Sequence, residues 1–214
     1  MGHLDIMSSE SADTRTRILK AAWTLLESGD STVRMSDIAK TAGISRQAVY
    51  LHFPGRADLL IATVRYVDEV KDVAGRLQAS RNADSGLERL EAFVEAWVHY
   101  IPEIHGVAKA LLAMGDTDEA ARLAWADRMA GLREGFQAAV DALDRDGMLS
   151  PALTVTEATD ILWSMLSVQT WERFILDCGW SQQAYGERMK LLARKMLVAG
   201  SATGRTRLSA LRLG

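Results

Sequence analysis

A single cysteine, Cys178, leaves no partner for an internal disulfide and fits a reducing cytoplasm; a small buried apolar side chain is its expected role. No apolar run approaches the ~20 residues that cross a bilayer, and the N-terminus has no signal-peptide pattern. A cytoplasmic chain is expected. No alternating strand pattern extends beyond a few residues, and internal repeats and low-complexity blocks are missing. Also missing are a glycine-rich phosphate loop, a nucleophile elbow and paired-cysteine metal spacing. The four histidines are scattered: His3 and His52 stand apart, and His99 and His105 flank Pro102 without the i, i+4 spacing of a helical metal pair. Asp141, Asp144 and Asp146 read as the solvated end of a helix. Nothing here marks an enzyme, a metal site or a cofactor site.

What the chain does have is an ordinary globular composition, 48% apolar and 25% charged, with an uneven distribution of charge. Between Thr14 and Arg56, seven basic residues face three acidic ones, a net +4, so a total of −3 leaves −7 for the rest. A basic N-terminal quarter on an acidic body implies that only the first part meets a polyanion. The division expected is a loose arm over 1–13, a small domain over 14–56, a larger domain over 57–200 and a frayed tail over 201–214.

Nearly every segment has helical periodicity, so the fold class expected is all-α. Ile18, Ala21, Ala22, Leu25 and Leu26 make one apolar face, and Gly29 follows as a C-terminal cap. Arg34 to Thr41 forms a short second helix that ends at Gly43. Ser45 caps a third, which buries Ala48 and Val49 and stops before Pro54. Further helices are expected over 56–78, 87–100, 107–114, 117–146, 156–177 and 181–199. Pro102 and Gly106 interrupt the pattern between the fifth and sixth helices, and a cavity mouth near His99 and His105 fits there.

Helix, glycine turn, helix is the outline of a helix-turn-helix, whose second helix enters the major groove of DNA. Ser45 to Phe53 has the required two-sidedness. Ala48, Val49 and Phe53 face inward, while Arg46, Gln47, Tyr50 and His52 point elsewhere. Gln47 suits an adenine edge and Arg46 a guanine or a phosphate. Tyr50 and His52 can bond phosphate oxygens or simply half-cover the helix pair. Arg56 follows Pro54-Gly55 at a helix start, where free N–H groups already favour an anion. With Arg34, Ser36 and Ser45, these side chains form the expected DNA-binding set.

Arg15, Ile18, Leu19, Ala21 and Ala22, then Asp37, Ile38, Ala39, Ala42, Gly43, Ile44 and Ser45, then Tyr50, His52, Phe53 and Arg56 carry a resemblance. The segment from Arg15 to Leu60 is similar to the DNA-binding domain of TetR-type transcriptional regulators. Two positions depart from that pattern: Arg56 stands where the family usually has lysine, and Arg34 where it often has a small hydroxyl residue. The resemblance implies a helical regulatory domain that binds a small molecule and a dimer built through the last two long helices.

On the residues themselves, Tyr185, Met189, Leu192 and Met196 form an apolar seam at 4, 3, 4 spacing. With Trp171 and Ile175 they are the expected dimer interface. Trp97, Tyr100, Met114, Trp125, Met129, Phe136, Trp163 and Gln169 are the candidate lining of an effector site. Their character points to a small hydrophobic or aromatic effector. The function expected is therefore a homodimeric repressor on double-stranded DNA with a palindromic operator. The competing reading is a helical enzyme or ligand carrier that keeps the helix pair as packing alone.

Overall fold

The computed structural model describes residues 2–29 and 33–199, and the tail expected over 201–214 lies outside them. Helix α1 spans Gly2–Glu27. The expected arm is therefore part of a helix. Helices α2 (Met35–Ala42) and α3 (Arg46–His52) follow, joined at Gly43, whose φ of 67° is the left-handed conformation that glycine adopts without strain. Arg17 of α1 donates to the Ala42 carbonyl at 2.7 Å and so closes the end of α2. Ile18, Ala22, Ile38, Val49 and Phe53 are buried together beneath these three helices. Ser45 caps α3 by accepting from the Ala48 N–H at 3.1 Å, and Phe53 leaves helical geometry before Pro54.

Helix α4 (Arg56–Val70) leaves this head and enters the body. A single helix was expected over 56–78. Instead Asp72 adopts a left-handed conformation (φ 52°), which an aspartate tolerates better than most side chains, and its carboxylate accepts from the Gly75 N–H. Two short helices, α5 (Val73–Arg76) and α6 (Gln78–Arg81), follow that break.

Helix α7 (Gly86–Gly115) runs unbroken through Pro102, against the two separate helices expected. Proline has no N–H, so the Val98 carbonyl one turn back loses its helical donor. Gln182 supplies the substitute, its side-chain amide donating to Val98 at 2.7 Å while its oxygen accepts from the Trp171 indole at 2.8 Å. Helix α8 (Glu119–Arg145) packs along α7, and α4 packs along α8.

The helix expected over 156–177 is also divided. Helix α9 (Val155–Met165) ends where the Trp97 indole donates to the Leu166 carbonyl at 2.7 Å. Ser167 then caps α10 (Val168–Glu172), which passes into one wider π turn over Arg173–Asp177. Helix α11 (Gln182–Leu197) is capped by Ser181 as expected. The β contact among the described residues is an isolated antiparallel bridge between Leu149 and Val198. Cys178 is exposed, not buried as expected, because it follows the π turn at the outer end of the body.

Candidate nucleic-acid interface and effector cavity

Helix α3 presents two unlike faces. Val49 is fully buried against α1 and α2, and Arg46, Gln47 and Tyr50 are exposed on the other side. The Arg46 guanidinium donates to the Tyr50 hydroxyl at 3.3 Å and lies 5.5 Å from its ring centroid, so the two present one joint polar surface. Arg34, Ser36 and Ser45 are exposed along the same helix pair, and His52 is half-buried. Asp37 accepts from the Arg34 N–H at 3.2 Å, which settles the first turn of α2 and leaves the Arg34 side chain outward. Leu51, 82% exposed, belongs to this surface too and was missed, since an isolated apolar residue carries no periodic signal.

Arg56 departs from expectation. Its Nε donates to the Val33 carbonyl at 2.6 Å, one terminal nitrogen forms an ion pair with Asp118, and the other approaches the Met114 sulfur at 3.8 Å. The guanidinium fork is thus engaged inside the molecule, joining head to body, and does not stand open to a phosphate. Asp118 also caps α8 by accepting from the Ala120 and Ala121 N–H groups. Burial alone would raise its carboxyl pKa. The hydrogen bonds from Arg56 and from these backbone groups outweigh that effect and hold it below the usual carboxylate value.

Two more ion pairs continue along α4 and α8. Arg65 grips Asp127 with two nitrogens at 2.8 and 3.2 Å, and Asp68 meets Arg128 at 2.8 Å. The pairs ascend both helices in the same order, so α4 and α8 run parallel. Asp68 also accepts from the Tyr100 hydroxyl at 2.6 Å. Burial first, and the neighbouring carboxylate second, push the Tyr100 pKa upward, so the phenol keeps its proton and donates.

Arg128 and Tyr100 also line a cavity of about 450 Å³ between α5, α6, α7 and α8, within the size range of small-molecule sites. Its floor carries Phe93, Trp97 and Leu132. Gly135 is required beside Phe93, because a Cβ there would lie 2.6 Å from the ring. The break at Asp72 lets Val73 and Leu77 form the opposite wall.

Of the eight expected lining residues, Trp97 and Tyr100 take that place. Met114 is buried at the junction with the head, beside Arg56. Phe136 is buried in the core, its ring centroid 5.0 Å from that of Phe93. Trp125 lines a separate void of only about 10 Å³, Met129 is half-buried beside the core, and Trp163 and Gln169 are exposed. The conceivable mouth near His99 and His105 is closed by the continuous helix: His105 bonds Glu172 at 2.7 Å, and Gly106 packs on Glu27. Sequence reasoning missed Arg76, Arg81, Arg89 and Arg128, which read as ordinary solvated helix residues.

The expected dimer seam also divides. Trp171, Tyr185 and Met189 are buried in this chain's own core. Leu192 and Met196 are exposed and, with Ile161, Met165 and Phe174, form an apolar shelf, whereas Ile175 is half-buried against the core. Among the described residues, no helix is long and apolar enough to cross a membrane, and no three potential metal-ligating side chains cluster.

Residues 18–63 match the sequence profile of bacterial regulatory proteins of the tetR family. The head is therefore similar to the DNA-binding domain of the tetR family. It is 33% identical over 85 residues to the HTH-type transcriptional activator FasR of Mycolicibacterium smegmatis, a stretch that is 39% of this chain and 38% of that one. It is 26% identical over 161 residues to the HTH-type transcriptional regulator CymR of Pseudomonas putida, covering 71% of this chain and 73% of CymR. The chain thus spans well under half the length of FasR in that match, and most of CymR. A putative TetR-family transcriptional regulator from Rhodococcus sp. has the same fold, with a TM-score of 0.69 over 87% of this chain and 99% of that one at 22% identity. The names of FasR and CymR are those of transcriptional regulators.

Proposed function

We propose that this chain is a dimeric transcriptional repressor of the TetR type, released from a palindromic operator when a small molecule occupies the cavity beside Arg128. The two-faced α3 carries this reading: a buried Val49 base holds Arg46, Gln47 and Tyr50 outward on a helix that fits the major groove. Two heads related by a twofold axis require inverted half-sites about one helical turn or somewhat more apart. The apolar shelf of Leu192 and Met196 supplies the surface through which two copies join.

The route from cavity to head is short. A ligand that displaces Arg128 or Tyr100 disturbs Asp68, which both side chains hold on α4, and α4 begins at the Arg56–Asp118 contact. Such a ligand shifts the head only as far as it prefers one arrangement over the other. Operator and effector must therefore weaken each other by the same factor. The sign of control rests on where the operator lies relative to a promoter.

The test is retention of genomic fragments by the full chain in the presence of excess non-specific DNA. Saturable retention of a palindromic fragment supports the proposal, and no retention at any salt concentration refutes it. Leu192→Asp with Met196→Asp should convert the dimer to a monomer in sedimentation and abolish that retention. A monomer before substitution would refute the dimer.

A further inference from the structure

Four arginines, Arg76, Arg81, Arg89 and Arg128, line the cavity against one carboxylate, Glu134. Two are already matched: Arg76 meets Glu103 at 2.8 Å, and Arg128 meets Asp68. Arg81 and Arg89 form no ion pair among the described residues, and Arg81 donates only to the Ala74 carbonyl at 3.2 Å. Their placement is directional. Ser80 donates to the Arg89 carbonyl at 2.9 Å, which seats α6 on α7 and brings Arg81 and Arg89 together into the cavity lining. Arg81 is exposed and Arg89 half-buried, whereas Phe93 and Trp97 on the floor are buried.

The aromatic faces do not suit a cationic guest. The Arg76 guanidinium already lies 5.6 Å from the Tyr100 centroid, and that of Arg128 lies 5.3 Å from Trp97 and 5.9 Å from Tyr100. The protein's own cations thus occupy the negative π faces on which a ligand ammonium would rest. We infer that the cavity binds an amphipathic anion, with an apolar or aromatic body on Phe93 and Trp97 and a carboxylate or phosphate held by Arg81 and Arg89. The planar fork of arginine matches both head groups in bidentate fashion. This inference rests on the cavity being the effector site and adds the charge of the ligand, which the apolar lining alone does not specify.

Isothermal titration of the full chain with decanoate, decyl phosphate, decanol and decyltrimethylammonium, all below micellar concentration, tests it. At least one of the two anions should bind at least about tenfold more tightly than decanol or the ammonium, the scale of a charge-assisted hydrogen bond. Whichever acid binds more tightly assigns the head group. Arg81→Gln with Arg89→Gln should reduce anion affinity by about tenfold or more and leave decanol unchanged. Arg89→Glu should move the preference toward the ammonium; both changes lie in the cavity lining, and circular dichroism will verify the fold. Equal affinity for all four probes, no binding of either anion, or unchanged anion affinity in the double variant would overturn the inference. Leu77→Trp, which fills the cavity, separates the two readings: if every probe binds that variant as before, the cavity itself is not the effector site.

Discussion

Head and body both cap helices locally, as Ser45 and Ser181 do, but the body also fixes helix ends and repairs a break from much farther along the chain. In the head, Ser45 caps α3 through Ala48, three positions on, and Asp37 accepts from Arg34, three positions back. In the body, the Trp97 indole meets the end of α9 from 69 positions away, and Gln182 repairs the Pro102 break from 84. Asp146 accepts from Gly86, at the start of α7, from 60. A helix end set by its neighbours can keep its geometry while surface side chains vary, which suits a reading head. An end set by distant partners responds to whatever moves those partners, which suits the ligand response proposed for the body.

Substitutions at each range put this contrast to the test. The largest effect is expected from Val49→Asp, which buries an unpaired carboxylate beneath α3 and should cost about 3–5 kcal/mol. Thermal denaturation should show the loss, and retention of DNA should vanish with it. Next is Gln182→Leu, which leaves the Val98 carbonyl and the Trp171 N–H unpaired and should cost roughly 2–4 kcal/mol in chemical denaturation. A cost near zero would mean that this distant repair of α7 has little weight.

Asp118→Asn keeps the cap on α8 but removes the charge facing Arg56, for an expected loss of about 1–2 kcal/mol at neutral pH. The pH dependence follows from the lowered pKa of Asp118. In the unfolded chain the carboxylate titrates near its ordinary value of 3.8, and in the folded chain it titrates below that. Its contribution is therefore present above that value and lost as pH falls through the folded pKa. Stability curves of the parent and Asp118→Asn should differ by a constant amount at neutral pH and converge on acidification; parallel curves down to the most acidic point would exclude the ion pair as the cause. The smallest effect on stability is expected from Gln47→Ala, within about 0.5 kcal/mol, with about 1–3 kcal/mol of discrimination lost at one base. Binding to a library of single-base operator variants reads that loss, and an unchanged preference would remove Gln47 from the reading surface.

The head was legible because its signals are short-range and chemically narrow. Gly43 marks the turn, Ser45 the helix start, Pro54 the stop, and the alternation of Val49 with Arg46 and Tyr50 the two faces. Arg56 was not legible. A helix-start arginine has the same sequence signature whether it faces a phosphate or reaches Asp118, 62 positions away. The cavity was harder still. Large aromatics drew attention to Phe136 and Trp163, one in the core and one at the surface, while the arginines that ring the site looked like solvated residues. Pro102 likewise predicted a break that Gln182 annuls.

Taken alone, the sequence determined that the chain is helical, where its reading helix begins and ends, and which side of that helix is buried. Caps and turn residues act within a few positions, and apolar periodicity marks the side of a helix to be buried whatever partner covers it. Tertiary structure alone decided which carboxylate holds Arg56, where the long helices break, which aromatics enclose space and which arginines face it. Those outcomes depend on partners tens of residues apart, and only the packed chain brings such groups within hydrogen-bonding distance.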